Sequence, residues 1–449
     1  MPAKPSPDPR HDILLQEGMF HGTTAGDLTA AFQDLEQHSS HLCVFFHGGL
    51  VDEDSGLTSA HHLADGYTGT GTYPFFFIWR SGLLDTIRAL LRKHSRNPAF
   101  LLAADYAVRL LADKIASALD QDALLKVRAR RKPRARTLEA LAAFAEPFDK
   151  AWAARTALVQ LGCSSSELDF FVRFLTHADK RRGKRPPPTF VPEKLQGARN
   201  PLSRILHRFN SGHDHGLYTT VVEELFIAIG VNDLAGKIWS EMKVLIDDSF
   251  KNDPQAGGTV FIDHLCDLWN RKPDFRVTLI GHSAGTIYVQ RFLEALDARL
   301  PSSSRAKVEV AFCAGAMTFE RMYQGLAVWP RRVAQLRVFA MDDFREGNYW
   351  EVKLVYDKSL LYIVSGLCEV DPDADKPLVG MQRYWTRDTY QKERAIQEVI
   401  ETITSPRSVW SLTAAKAPPG YRSKATRHGG FPEETQTNLS ICYALQNGF

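Results

Sequence analysis

The chain has 449 residues, 44% of them hydrophobic and 24% charged, with a net charge of +3, a profile that excludes disordered, collagenous and strongly nucleic-acid-like compositions. No apolar run approaches the ~20 residues of a membrane-spanning helix. Six scattered cysteines without a Cys-x-x-Cys spacing argue against a disulfide framework and against structural zinc, and four prolines among residues 1–10 read as a flexible tail of a cytoplasmic protein.

In chain order, residues 11–20 read as a first strand and residues 27–37 as a helix opened by an acidic N-cap. Residues 41–46 (HLCVFF) and 73–79 (YPFFFIW) have the length and composition of buried parallel strands. Between them, His47-Gly48-Gly49-Leu50 directly follows a strand. Glycines there let the amides of Gly48 and Gly49 turn towards a substrate oxygen, while His47 reads as a residue that shapes the loop.

The strand–helix alternation then stops. Residues 83–254 are rich in helix formers, notably at 101–119 and 137–161. Residues 83–250 carry 27 Lys and Arg against 19 Asp and Glu, and the rest of the chain 28 against 33. Two tracts hold most of the excess: 126–136 (KVRARRKPRAR, Lys126 to Arg136) and 180–185 (KRRGKR, Lys180 to Arg185). Proline and charge place both in exposed connections, whose sharper reading is contact with an anionic membrane surface. Neither has the interleaved aromatics of a single-strand-binding surface, so a nucleic-acid partner is not expected. The pairs His61-His62 and His213-Asp214-His215 lack a helical His-Glu-x-x-His, and neither a metal nor any other cofactor is expected.

Alternation resumes at residues 275–280, a strand, followed by Gly281-His282-Ser283-Ala284-Gly285 and a helix over 286–300. In Gly-x-Ser-x-Gly the glycines permit a sharp strand-to-helix turn that projects the serine Oγ above a sheet, and Ser283 is the candidate nucleophile. The Ala284 amide would join Gly48 and Gly49 as an oxyanion donor. Residues 308–312, 336–341 and 409–413 repeat the strand pattern, which predicts an α/β fold with a mostly parallel sheet, helices on both faces and a large helical insertion. His428, in a glycine-rich loop beyond the last strand, is the only histidine after His282 and the candidate base. Asp343, just past the 336–341 strand, is the candidate acid. Asp342 is an alternative that could instead cap backbone amides, and Asp375 is the rival if residues 359–369 form a strand, with Asp371 and Asp373 beside it. Length and the preceding Asp357 and Ser359 favour a helix there.

Strand, His-Gly-Gly, Gly-His-Ser-Ala-Gly, acid and then histidine is a chain order that resembles the α/β-hydrolase superfamily. The resemblance covers residues 11–82 and 255–445, with the core running on to residue 449 and residues 83–254 inserted as a cap. FFHGGLVDEDSGL, FFFIWRSGLLDTI, SLLYIVSGLCE and RHGGF are similar to uncharacterised bacterial hydrolase-like proteins. The loop reads His-Gly-Gly-Leu instead of the three-glycine form of hormone-sensitive-lipase-like esterases. The resemblance implies a serine hydrolase, esterase- or lipase-like, that cleaves a carboxylic ester, such as a lipid-like one, through an acyl-enzyme. The alternative is a non-catalytic binding or signalling module on the same scaffold, with the basic insertion as its working surface.

Overall fold

A computed structural model describes residues 5–49, 51–79, 201–228, 231–349, 351–352, 356–369, 371, 374–403 and 407–449. The helices expected at 101–119 and 137–161 and both basic tracts lie outside these residues, as do Cys163 and Asp373. Eight strands form one sheet in the order β2-β1-β4-β3-β5-β6-β7-β8. They are β1 (Asp12–Gln16), β2 (Met19–Phe20), β3 (His41–Phe46), β4 (Tyr73–Trp79), β5 (Arg276–His282), β6 (Val308–Cys313), β7 (Val333–Met341) and β8 (Ser408–Ser411). All neighbours pair in parallel except β1 with β2.

The antiparallel pair corrects the single strand expected over residues 11–20. Glu17 and Gly18 both take positive φ, 53° and 77°, which reverses the chain in a two-residue hairpin. The first helix, α1 (Ala25–His38), begins earlier than expected because Thr24 is its N-cap. Asp27 is its reciprocal partner at the third helical position, so the pair forms a capping box.

Alternation within the buried strands covers both faces of the sheet. Val44, Phe46, Phe75 and Phe77 pack into one hydrophobic cluster with α1, α6 (Gly257–Arg271) and α7 (Gly285–Arg299). Cys43, Phe45, Phe76 and Ile78 face the other way, into a smaller cluster with α2 (Glu53–Thr68) and the C-terminal α14 (Thr435–Asn447). The described end of the insertion forms α3 (Pro201–Ser211), α4 (Leu217–Ala228) and α5 (Val231–Asp248). Ile205, Val222, Trp239 and Met242 from these helices join the larger cluster. This end is not basic: residues 201–250 hold four Lys and Arg against seven Asp and Glu.

Beyond β6 lie α8 (Phe319–Gly325) and α9 (Trp329–Arg332), and α10 (Asp343–Glu346) follows β7. The run at 359–369 is helical, α11 (Leu360–Ile363) continuing as a π-turn through Cys368. After it come α12 (Gln382–Thr386) and α13 (Arg394–Ile403). Of the six cysteines, Cys43, Cys266, Cys313, Cys368 and Cys442 are free thiols, and burial pushes Cys43 well up and Cys313 to about 12, as suits small hydrophobes rather than nucleophiles. No helix among the described residues is long and apolar enough to cross a membrane.

Candidate active site

Successive strands run outward in one direction from β3 to β4, and in the other from β5 through β8. The connections leaving the carboxyl ends of β3 and β5 therefore diverge and open a crevice between two adjacent strands, the usual place for a ligand in such a sheet. His47-Gly48-Gly49 leaves β3 there, and Gly281–Gly285 leaves β5.

The turn after β5 is built by close approach of backbone to backbone. A Cβ on Gly285 would lie 2.1 Å from the Phe46 carbonyl oxygen, and one on Gly281 2.7 Å from the Gly285 carbonyl oxygen. Ser283 between them holds φ at 54°, a left-handed conformation that non-glycine residues rarely keep without compensating bonds. Those bonds are present. The Ser283 amide donates to the Cys313 carbonyl at 2.9 Å, and its carbonyl accepts from the Ala316 amide at 3.0 Å and the Thr286 hydroxyl at 2.8 Å.

His428 is brought to this turn by the chain beyond β8. The Ser411 hydroxyl donates to the Ala425 carbonyl at 2.6 Å and the Thr413 amide to the Ser423 carbonyl at 3.0 Å, folding the loop back along the strand. A 3₁₀ turn, His428–Glu433, then starts at the histidine. Its Nε2 lies 2.9 Å from Ser283 Oγ, and both residues are only 3% exposed. A hydroxyl at this distance from an imidazole can give up its proton as it attacks.

Gly48 and Gly49 stand against the same turn. A Cβ on Gly48 would be 3.2 Å from Ser283 Cβ, and one on Gly49 2.7 Å from Ala284 Cβ and 2.0 Å from Met242 Sδ. Among the described residues the amides of Gly48, Gly49 and Ala284 donate to no backbone carbonyl. They are donors available to an oxyanion. His47 shapes the loop as expected: its Nδ1–H donates to the Gly48 carbonyl at 2.7 Å, its Nε2 accepts from the Trp79 amide at 3.1 Å, and its ring stacks on Trp79 at 4.1 Å. Burial lowers its pKa to about 4. With both nitrogens occupied it is no base. Met242 was invisible as a site residue in the sequence, since nothing but the fold brings α5 to the glycine loop.

No family model, curated protein or solved structure matches the chain.

None of the three predicted acids is hydrogen-bonded to His428. Asp342 caps α10, accepting from the Arg345 amide at 2.9 Å, the capping role already weighed for it. Asp343 accepts from the Tyr362 hydroxyl at 2.6 Å and faces Arg387 at 3.5 Å. Burial pushes its carboxyl up, but Arg383 and the Tyr362 bond outweigh this and hold it below the usual range. Its charge is engaged in that cluster, and it makes no hydrogen bond to His428. Asp371 pairs with Lys376 at 3.3 Å.

Asp375 sits in a second buried network. It accepts from His213 Nδ1 at 2.9 Å, His215 Nε2 at 2.8 Å, the Tyr384 hydroxyl at 2.8 Å and the Tyr390 hydroxyl at 2.7 Å. The other nitrogen of His215 meets Glu223 at 2.7 Å, and Glu223 is paired with Arg208 at 2.8 Å. Burial raises both carboxyls, yet the histidines bring Asp375 well below its ordinary value, and His215 with Arg208 lowers Glu223. His213 and His215 thus cross-link the α3–α4 connection to the chain before α12. Among the described residues no group of three or more His, Cys, Asp or Glu side chains is placed to hold a metal.

Proposed function

We propose that the protein is a serine hydrolase of the α/β-hydrolase type, which cleaves a carboxylic ester through an acyl-enzyme on Ser283. The observation that carries this reading is the 2.9 Å approach of Ser283 Oγ to His428 Nε2 on a left-handed turn at the crevice between β3 and β5. The order of site residues along the chain, with the glycine loop after β3, the nucleophile after β5 and the histidine after β8, supports the superfamily assignment.

Ser283 Oγ attacks the ester carbonyl as His428 Nε2 takes its proton. Negative charge develops on the carbonyl oxygen, and the amides of Ala284 and the Gly48-Gly49 loop are the nearest donors for it. Collapse of the tetrahedral intermediate breaks the carbon–oxygen bond, and His428 returns the proton to the departing alcohol. Water, deprotonated by the same nitrogen, then releases the acid and regenerates Ser283. Met242, fully buried against Gly49, places an apolar side chain beside this loop and favours an apolar acyl group.

A fluorophosphonate probe tests the proposal. It should label the folded protein on Ser283, and labelling should vanish in Ser283→Ala. A folded wild-type protein that resists the probe would favour the non-catalytic module instead.

A further inference from the structure

The residue before the nucleophile has a bond that the proposed chemistry leaves unused. His282 is buried, and its Nε2 lies 3.1 Å from the main-chain carbonyl oxygen of His428, with the two rings 5.4 Å apart. A carbonyl oxygen can only accept, so Nε2 carries the proton and His282 donates. The opposite nitrogen faces the glycine loop: a Cβ on Gly48 would stand 3.3 Å from His282 Nδ1. Burial lowers the His282 pKa to about 4, against a small opposing effect of the His428 carbonyl, so the ring is neutral at ordinary pH.

Three site segments therefore meet at one side chain. His282 extends the β5 turn, abuts the loop after β3 and ties down the 3₁₀ turn that begins at His428. The bond reaches His428 through its backbone, so it sets where the imidazole starts without competing for either ring nitrogen.

We propose that His282 is a positioning residue, which holds His428 Nε2 at reacting distance from Ser283 by donating to the His428 carbonyl. This rests on the hydrolase reading. Without the bond the 3₁₀ turn is free to shift, and a displacement of about 1 Å at a reacting group costs roughly 100-fold in rate. Asparagine or glutamine could supply a donor from the same place, whereas phenylalanine fills the ring's volume and supplies none.

The test compares wild type, His282→Phe and His282→Gln in the full chain, with fluorophosphonate labelling rates expressed per folded molecule. His282→Phe should label about 10- to 100-fold more slowly, with affinity for a reversible short-chain ester analogue unchanged, and His282→Gln should recover most of the rate. A merely structural role would reduce the folded fraction while leaving the rate of each folded molecule alone. Equal rates in all three proteins, or equal losses in both variants, would overturn the positioning role while leaving the hydrolase reading intact. Absence of labelling in wild type would overturn the reading itself. Nitrogen-15 NMR of the wild-type histidines supplies a check that no folding defect can obscure: His282 should be the Nε2–H tautomer, and an Nδ1–H tautomer would refute the bond.

Discussion

Gly285→Ala puts the packing of the nucleophile turn to its hardest test. The added Cβ would lie 2.1 Å from the Phe46 carbonyl oxygen, 2.8 Å from its carbon and 2.9 Å from the His47 carbonyl oxygen. All three are backbone atoms in the strand and loop that carry Gly48 and Gly49, so no side chain can swing aside. Relief requires α7 and the end of β3 to separate by about 1 Å, and overpacking of this kind costs roughly 1–3 kcal/mol. The same shift would carry Ser283 away from the donor loop, for which a loss of about 100-fold in reactivity is expected. Gly429→Ala is the control beside the base, since a Cβ there meets nothing within 4 Å. Denaturant unfolding and fluorophosphonate labelling of both variants give the readout. If Gly285→Ala labels like wild type and unfolds at the same midpoint, the turn is not held as described.

Glu346 is fully buried on α10, and burial, opposed by Ser359, raises its carboxyl pKa to about 8. The folded state thus keeps a proton that the unfolded chain loses above about 4.3, so stability falls as pH rises between those values, by on the order of 5 kcal/mol in all. Glu346→Gln should match wild type near pH 4 and exceed it by several kcal/mol at pH 8; identical pH dependences in urea titrations would contradict the assignment. Asp375→Asn should destabilise by about 3–5 kcal/mol at pH 7, because His215, His213 and Arg383 lose a buried charge partner. Since the Asp375 carboxyl is lowered, its contribution is complete above about pH 4 and disappears as pH falls through its depressed folded value. The gap between variant and wild type should therefore narrow at low pH, and a small gap at pH 7 would show the network to be replaceable.

Much of the sheet could be read from the sequence because its strands are buried on both faces. HLCVFF and YPFFFIW lie at the predicted residues, since a continuous apolar run of that length fits little else. The β1–β2 hairpin escaped notice because its turn, Glu17-Gly18, interrupts no obvious pattern and β2 has only two residues. Ser283, His428 and the glycine loop were legible through local turn chemistry and chain order. The acid was not. After β7 two carboxylates stand side by side, and which partner each takes depends on Tyr362, Arg387 and a cap on α10, none of which is set by spacing. The His213–His215 cross-link joins residues some 160 positions apart, a relation that no periodicity records. The basic excess of the insertion sits in the tracts at 126–136 and 180–185 and is absent from 201–250, where helices merge with the core.

Fluorophosphonate labelling followed by peptide mapping bears most directly on the role given to Ser283. Wild type should carry one adduct, on Ser283; Ser283→Ala should carry none, and His428→Ala should react about 1,000-fold or more slowly because the hydroxyl loses its base. Folded wild-type protein that stays unlabelled, or that labels equally well without His428, would contradict the account.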